Sequence, residues 1–296
     1  MYLYKYVTSE RMDILKNCKV RFTQPAFLND PFELSPTLQE FLDSETFDQI
    51  VEKVRKLAST DEEESMEIYQ ELSVYQPIFF HFGINIKQSF PFQKVRELNY
   101  SKEVVRDFLT RAMEYVRHNY NQLRDQIQTG FGMLSLSEKN DSLLMWAHYA
   151  CSHSGFVLEI KSDHTALDQS QAYSGFIGSP QKVVYTNERP VIQVYKPKVN
   201  SKLALLQMVR NFFLTKSEEW SYEKEWRIIL PVNQQIHLIS FPPDCITSII
   251  LGSRISAAHR QQIKDLLNSS SYLSHIKIKQ AIIDPQKFQV NIIDSE

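Results

Sequence analysis

Hydrophobic and polar positions alternate in several short stretches of the chain, and this period of two predicts β-strands. The strands are expected at residues 2–7, 19–23, 132–137, 156–160, 247–251 and 276–282. Ser256 is suited to cap a helix that runs to about Leu267, between the last two strands. The C-terminal part, about residues 245–296, is therefore predicted to form a β-α-β unit whose crossover is right-handed.

A helical pattern interrupts the strands. From about residue 36 to residue 128, apolar side chains recur at three- and four-residue spacing, which predicts a helical insertion within one α+β domain spanning residues 1–296. Residues 142–151 have apolar side chains all round the helical wheel, so a buried helix is expected there. His148 lies on that helix, where a histidine is more often a hydrogen-bonded core residue, which is the interpretation expected here, than a base or ligand.

Composition excludes several classes of protein. With 43% hydrophobic residues among 296, the chain has enough apolar surface for a globular core. The net charge of -2 gives no general basic surface for nucleic acid, and neither a Rossmann nor a P-loop glycine motif occurs. Three cysteines without paired spacing indicate neither disulfides nor zinc. No apolar run approaches the roughly 20 residues of a membrane span, so a cytoplasmic location is expected.

The segment at residues 220–229 carries the strongest candidate chemistry. If it is a strand, Glu223, Glu225 and Arg227 share one face, and three charged groups in a row predict that this face is wet. One interpretation is a two-carboxylate site, in which one glutamate stabilises positive charge on a sugar and the other accepts a proton. The alternative is a solvated strand face with a Glu-Arg pair.

Residues upstream of this segment could line a binding site. Lys216, Trp220 and Tyr222 could present an aromatic wall to a flat ligand, or they could belong to an aromatic core. Ser135 and Ser137 share one strand face and could hold a carboxylate or ribose, although strand-edge serines are equally common.

The N-terminal part contains further polar candidates. Asn29, Asp30 and Glu33 could bind a ligand, but a turn is sufficient to explain the first two. Lys5 and Tyr6 are neighbours on the first strand, so their side chains are expected on opposite faces and only one should face a given cleft.

Several motifs together resemble a bacterial family known as domain of unknown function 2971. They are LYKY at 3–6, FLNDPFE at 27–33, LSLSE at 134–138, MWAHY at 145–149 and WSYEKEWR at 220–227. The resemblance covers nearly the whole chain, and it implies no activity.

The order of parts is also similar to that of ADP-ribosyltransferases, which implies an α+β fold with a split sheet core. That resemblance implies that Glu225 stabilises an oxocarbenium-like transition state, that Glu223 positions the acceptor, and that the loop from Lys216 to Tyr222 contacts it. NAD would be the co-substrate, and its contacts would fall to Lys5, Tyr6, Ser135, Ser137, Tyr149 and Arg227. The first strand has Lys5 and Tyr6 where those enzymes usually have histidine or arginine.

The resulting hypothesis is an NAD-dependent ADP-ribosyltransferase or NAD glycohydrolase without a metal, acting as a bacterial toxin or defence effector. Its acceptor would be a protein or nucleic acid, and a partner protein could come from a defence or toxin-antitoxin locus. One alternative is a non-catalytic binding or regulatory module, with Glu225 ion-paired to Arg227 or Lys5 and no cavity beside it. Another is a metal-dependent nuclease or hydrolase, whose carboxylates Asp30, Glu33, Glu223 and Glu225 would have to meet at one point.

Overall fold

The computed structural model describes residues 1–34, 37–38, 127–168, 178–192, 211–232 and 236–295, with a few helical positions between 114 and 125. The predicted helical insertion at about 36–128 therefore lies almost entirely outside the described residues. The chain divides into two compact units. The first contains residues 1–33, 128–188 and 213–296, and the second contains residues 34–127 and 189–212. In the second unit, strands β3 (Thr37–Leu38) and β8 (Val191–Ile192) pair in parallel.

The first unit is built on a ten-stranded sheet that is mostly antiparallel. Its strands are β1 (Tyr2–Val7), β2 (Lys19–Thr23), β4 (Phe131–Ser137), β5 (Phe156–Lys161), β6 (Gln181–Lys182), β10 (Glu225–Pro231), β11 (Ile236–Ser240), β12 (Ile246–Leu251), β13 (Lys277–Ile283) and β14 (Val290–Asp294). Their order is β11-β2-β4-β1-β5-β12-β13-β14, with β10 paired to both β4 and β6. Strands β12 and β13 are parallel, and a separate parallel pair joins β7 (Val184–Thr186) to β9 (Thr215–Ser217).

Three α-helices that accompany this sheet have both ends within the described residues: α1 (Asp13–Asn17), α2 (Leu143–Tyr149) and α3 (Ala257–Ser269). Serine hydroxyls cap two of them, because Ser142 accepts from the Met145 amide and Ser256 accepts from the His259 amide. Short 3-10 helices lie at Ser9–Met12, Pro25–Phe27, Thr165–Leu167, Glu218–Glu223, Pro243–Cys245 and Ser271–Leu273. The described residues thus form a mixed α+β structure, which confirms the predicted class.

Apolar side chains cover both faces of the sheet. On β5, Phe156 and Leu158 belong to one buried cluster together with Ile263 of α3, whereas Val157 belongs to a second cluster with Trp146 of α2. This division follows from the alternation of side chains along a strand. Helix α2 buries only one face. Leu144 and His148 are exposed, so the expectation of a fully buried helix with a core histidine was wrong.

The sheet divides along strand β4, and this division creates the space for a site. Strand β10 pairs with β4 along its whole length, from Glu225 opposite Ser137 to Pro231 opposite Phe131. The other edge of β4 is shared by two strands. Strand β1 pairs with β4 at Tyr4–Ser137, and β2 pairs with it at Thr23–Met133. Ser135 lies between these two pairings, where β1 and β2 diverge.

Within the described part of the chain, no helix is both long and apolar enough to cross a membrane.

The turn after α2 packs so tightly that a single added methyl group should disturb it. A Cβ atom on Gly155 would overlap the carbonyl oxygen of Val7 on β1 and crowd that of Ala150. We expect Gly155→Ala to lower the free energy of unfolding by about 1–3 kcal/mol, because backbone must move to make room. Urea unfolding measures the change. Gly130→Ala is the matched control, since no atom lies within 4 Å of its added Cβ, and equal losses in both variants would contradict the packing argument.

Candidate active site

A cavity of about 370 Å³ lies in the first unit, at the place where β1 and β2 diverge along β4. Its lining includes residues from these three strands, the turn after β2, helix α2 and the segment that enters β10. They are Tyr4, Lys5, Tyr6, Thr23, Phe27, Leu28, Asn29, Glu33, Met133, Ser135, Leu136, Ser137, Met145, His148, Tyr149, Lys216, Glu223 and Glu225. Its volume is within the range of pockets that bind small molecules.

A buried ammonium group is the centre of the charged wall. Lys216 Nζ lies 2.7 Å from Glu223 Oε2 and 3.5 Å from both Glu225 Oε2 and Glu33 Oε1. All four side chains are at most 5% exposed. Burial by itself lowers the pKa of Lys216, but the charges of Glu225 and Glu223 and the hydrogen bond to Glu223 together raise it above its usual value. Lys216 is therefore a permanent cation.

A second buried cation, Arg227, clamps Glu225. Its Nε and Nη2 donate to the two carboxylate oxygens of Glu225 at 2.9 and 2.8 Å, and its Nη1 donates to the Phe213 carbonyl at 2.6 Å. Arg227 also forms an ion pair with Glu33. Burial raises the pKa of Glu225 to about 7, with Lys216 opposing the rise and Glu223 adding to it. The bidentate geometry is the strong form of an arginine-carboxylate contact.

Glu223 is also held by the cavity wall. The Tyr149 hydroxyl donates to Glu223 Oε1 at 2.5 Å, and Asn29 Nδ2 donates to that hydroxyl at 2.8 Å. Burial, followed by the charge and hydrogen bond of Glu223, raises the pKa of Tyr149. The tyrosine proton therefore stays on the hydroxyl and orients the Glu223 carboxylate.

Ser135 and Ser137 lie next to the two glutamates. The Ser137 hydroxyl donates to the backbone carbonyl of Glu223 at 2.6 Å and accepts from the Lys139 amide. The Ser135 side chain partly offsets the rise in the pKa of Glu225. The Ser135 carbonyl accepts from Lys5 Nζ at 2.9 Å, at the point where β4 lies between its pairings with β1 and β2.

The backbone explains how the two glutamates converge, and it corrects the predicted strand. Glu223 ends a 3-10 helix, Lys224 has a left-handed conformation with φ 45°, and β10 begins at Glu225. The two carboxylates therefore meet through a turn and not through strand alternation. The expected wet face was also wrong, because Glu223, Glu225 and Arg227 are all buried.

The structure brings most predicted site residues together. Those that line the cavity are Lys5, Tyr6, Asn29, Glu33, Ser135, Ser137, Tyr149, Lys216, Glu223 and Glu225. Lys5 and Tyr6 both do so, although strand alternation predicted that only one would face a cleft.

Four predicted site residues lie outside the lining. Arg227 is buried behind Glu225, and Asp30 closes a turn by accepting from the Phe32 amide. Trp220 packs against Tyr222, with its ring 4.8 Å from Lys216 Nζ. Trp220 therefore supports the lysine from outside the cavity.

Sequence reasoning missed His148 as a site residue. It lies on α2, is exposed, and lines the cavity. A role as base or ligand was the less favoured interpretation of His148, because the apolar pattern of α2 suggested that every face was buried.

The meeting point of the carboxylates bears on the metal-dependent alternative. Glu33, Glu223 and Glu225 do converge, but the position between them is filled by the ammonium of Lys216. Asp30 does not join them, and no group of three or more acidic, histidine or cysteine side chains in the described residues is arranged to hold a metal.

Loss of the buried guanidinium should be costly. Arg227→Met would remove the bidentate partner of Glu225 and leave Lys216 as the one cation ion-paired with Glu33, Glu223 and Glu225 among the described residues, so we expect the free energy of unfolding to fall by about 3–5 kcal/mol. Lys182→Met is the control, because Lys182 forms an ion pair with Glu138 but is 55% exposed, and such pairs contribute about 0–1 kcal/mol. Urea unfolding compares the two variants. Equal small losses would contradict a dependence of the fold on this pair.

The state of Lys5 makes stability depend on pH. Burial lowers the pKa of Lys5 to about 8, against the partial opposition of Glu225. Between pH 8 and pH 10.5, the ordinary pKa of a lysine, the Lys5 side chain holds a proton in the unfolded chain that it has released in the folded chain. The contribution of this group to the free energy of unfolding therefore rises with pH over this range. We expect the stability of Lys5→Met relative to wild type to be highest below pH 8 and to decline towards pH 10.5. Urea unfolding across this range measures the difference, and a difference independent of pH would contradict the expectation.

Comparison with known proteins finds a partial match to one family model. No curated protein and no solved structure matches the chain significantly. Residues 145–228 match the model of a family described as Protein of unknown function (DUF2971). The matched segment extends from α2, with Tyr149, to β10, with Glu225 and Arg227. The match supports the resemblance to this family over residues 145–228, which include the MWAHY and WSYEKEWR motifs; the motifs at 3–6, 27–33 and 134–138 lie outside the matched segment.

Proposed function

We propose that the cavity binds NAD and cleaves its bond between nicotinamide and ribose, by ADP-ribosyl transfer to a macromolecule or by hydrolysis. One observation carries the proposal. Tyr6, Ser135 and Glu225, which lie on the three adjacent strands β1, β4 and β10, line a single cavity. These strands contain the three segments on which the resemblance to ADP-ribosyltransferases rests. The split of the sheet along β4 also supports an ADP-ribosyltransferase-like core.

The chemistry suits a carboxylate wall. Cleavage of the glycosidic bond develops positive charge on the ribose, and fixed negative groups stabilise that charge. Glu225 and Glu223 are fixed by Arg227, Lys216 and Tyr149, so neither has to reorient during the reaction. Such preorganisation is the main requirement for electrostatic catalysis.

The cavity also offers surfaces for a planar ring. Tyr6 and Tyr4 belong to its wall, and Tyr6 is held by an edge-to-face contact with Trp146 at 5.4 Å between ring centroids. Aromatic side chains fixed in this way favour stacking with a flat heterocycle such as nicotinamide. In this proposal the segment from Lys216 to Tyr222 contacts the macromolecular acceptor. The protein as a whole would act as a toxin or defence effector.

A specific observation favours a second candidate, a non-catalytic binding or regulatory module. Glu225 is ion-paired to Arg227 in the interior, as that alternative expected. The alternative also expected no cavity beside Glu225, whereas one of about 370 Å³ is present. In this case the charged network would serve to hold β10 and the turn at Glu33 to the sheet, and the cavity would bind a ligand without cleaving it.

The deciding experiment measures nicotinamide release from NAD by purified protein, with a cell lysate as a source of acceptors. We expect Glu225→Gln to lower the rate by about 10²-fold or more, because the neutral amide no longer opposes the positive charge on ribose. Glu188→Gln is the matched control, since Glu188 is exposed and outside the cavity, and its rate should equal that of wild type.

Thermal unfolding accompanies the assay, so that loss of fold is not mistaken for loss of chemistry. NAD cleavage would be excluded if folded wild-type protein released no nicotinamide and its melting temperature did not change when NAD was added. A shift without release would favour the binding module.

A further inference from the structure

Most ionisable groups of the cavity wall are already engaged within the protein. Tyr149 donates to Glu223, and Tyr6 donates to the Lys139 carbonyl at 2.9 Å. Lys5 donates to the Ser135 carbonyl, and the remaining charged groups, Glu33, Glu223, Glu225 and Lys216, belong to one network. These contacts hold the groups in place, although the Glu33 carboxylate oxygens accept no hydrogen bond and Lys5 uses one of its three N–H groups.

His148 is different. It is exposed, it lines the cavity, and no hydrogen bond or ion pair joins it to another described residue. Its neighbours are the rings of Tyr149 and Tyr222, with centroids 6.4 and 6.2 Å away. His148 is thus an exposed side chain of the cavity wall with aromatic rings on two sides.

The groups around His148 come from two packed elements besides its own helix. Strand β1 contributes Tyr4, Lys5 and Tyr6, and the 3-10 helix Glu218–Glu223 contributes Tyr222 and Glu223. Burial raises the pKa of Tyr4 to about 12 and also raises those of Tyr6 and Tyr222, so these hydroxyls keep their protons. Lys5 and Glu225 titrate near neutrality but are bonded inside the protein.

We propose that His148 is the general base of the reaction, which rests on the NAD-cleaving function proposed above. The bond between nicotinamide nitrogen and ribose C1′ breaks, and its electron pair neutralises the pyridinium. A water or acceptor hydroxyl oxygen forms the new bond to C1′. The proton of that hydroxyl passes to the imidazole of His148 and then to solvent. An imidazole is suited to this role because it accepts protons near neutral pH.

Chemical rescue tests the assignment. We expect His148→Ala to fold normally, because the side chain is exposed, and to lose about 10²- to 10⁴-fold in kcat with little change in KM. Added imidazole should restore the rate in proportion to its unprotonated form. His148→Gln should be equally slow but should not be rescued, since its side chain fills the space. His275→Ala is the control, because His275 is exposed and bonded to backbone carbonyls outside the cavity.

Rescue is more decisive than a pH profile, since burial raises the pKa of Glu225 to about 7 and this carboxyl would itself shape the profile. A His148→Ala variant with wild-type kcat, or a slow one that imidazole does not restore, would overturn the assignment and leave NAD cleavage in place. Absence of nicotinamide release by wild-type protein would overturn both proposals together.

Discussion

The ion pairs around Lys216 and Arg227 are the interaction on which the site depends. Three carboxylates and two cations are gathered in the interior from a turn after β2, from β9, from a 3-10 helix and from β10. Isolated burial of any of these charges would be strongly unfavourable, so each partner is acceptable only because the others are present. The network therefore couples the local geometry of the site to correct folding of the first unit, and it fixes Glu225 and Glu223 before any ligand arrives.

The second constraint is the division of the sheet along β4. A strand has two edges, and β10 occupies one of them completely, so β1 and β2 must share the other. Where they separate, the Ser135 carbonyl is capped by the ammonium of Lys5. A buried backbone carbonyl needs a hydrogen-bond donor, which a neighbouring strand usually supplies. At Ser135 the donor is the side chain of Lys5 instead of a strand, so the space that a strand would occupy stays open. The cavity is a consequence of this arrangement.

Helix α2 completes the site by presenting its two faces to different environments. Met145 and Trp146 pack into the core, and Trp146 also donates to the Asn140 carbonyl. His148 and Tyr149 are left at the cavity. Because the buried residues anchor the helix, they also fix the positions of His148 and Tyr149 on it. The tight turn at Gly155 that follows sets where the helix ends relative to β1.

Local sequence determined the elements of the first unit: the strands at Tyr2–Val7, Lys19–Thr23 and Phe156–Lys161 and the helix capped by Ser256 lie close to where periodicity and capping predicted them. It also singled out Glu223, Glu225, Arg227 and Ser135, because charged and polar residues clustered in a β-like segment are unusual. Only the tertiary structure decided how they meet. The left-handed conformation of Lys224, the burial of Lys216 and the exposure of His148 all depend on packing between segments that are distant in sequence. Glu33 and Arg227, for example, form an ion pair although they lie more than 190 residues apart in sequence. Periodicity along one segment contains no information about which distant charges will neutralise the charges of that segment.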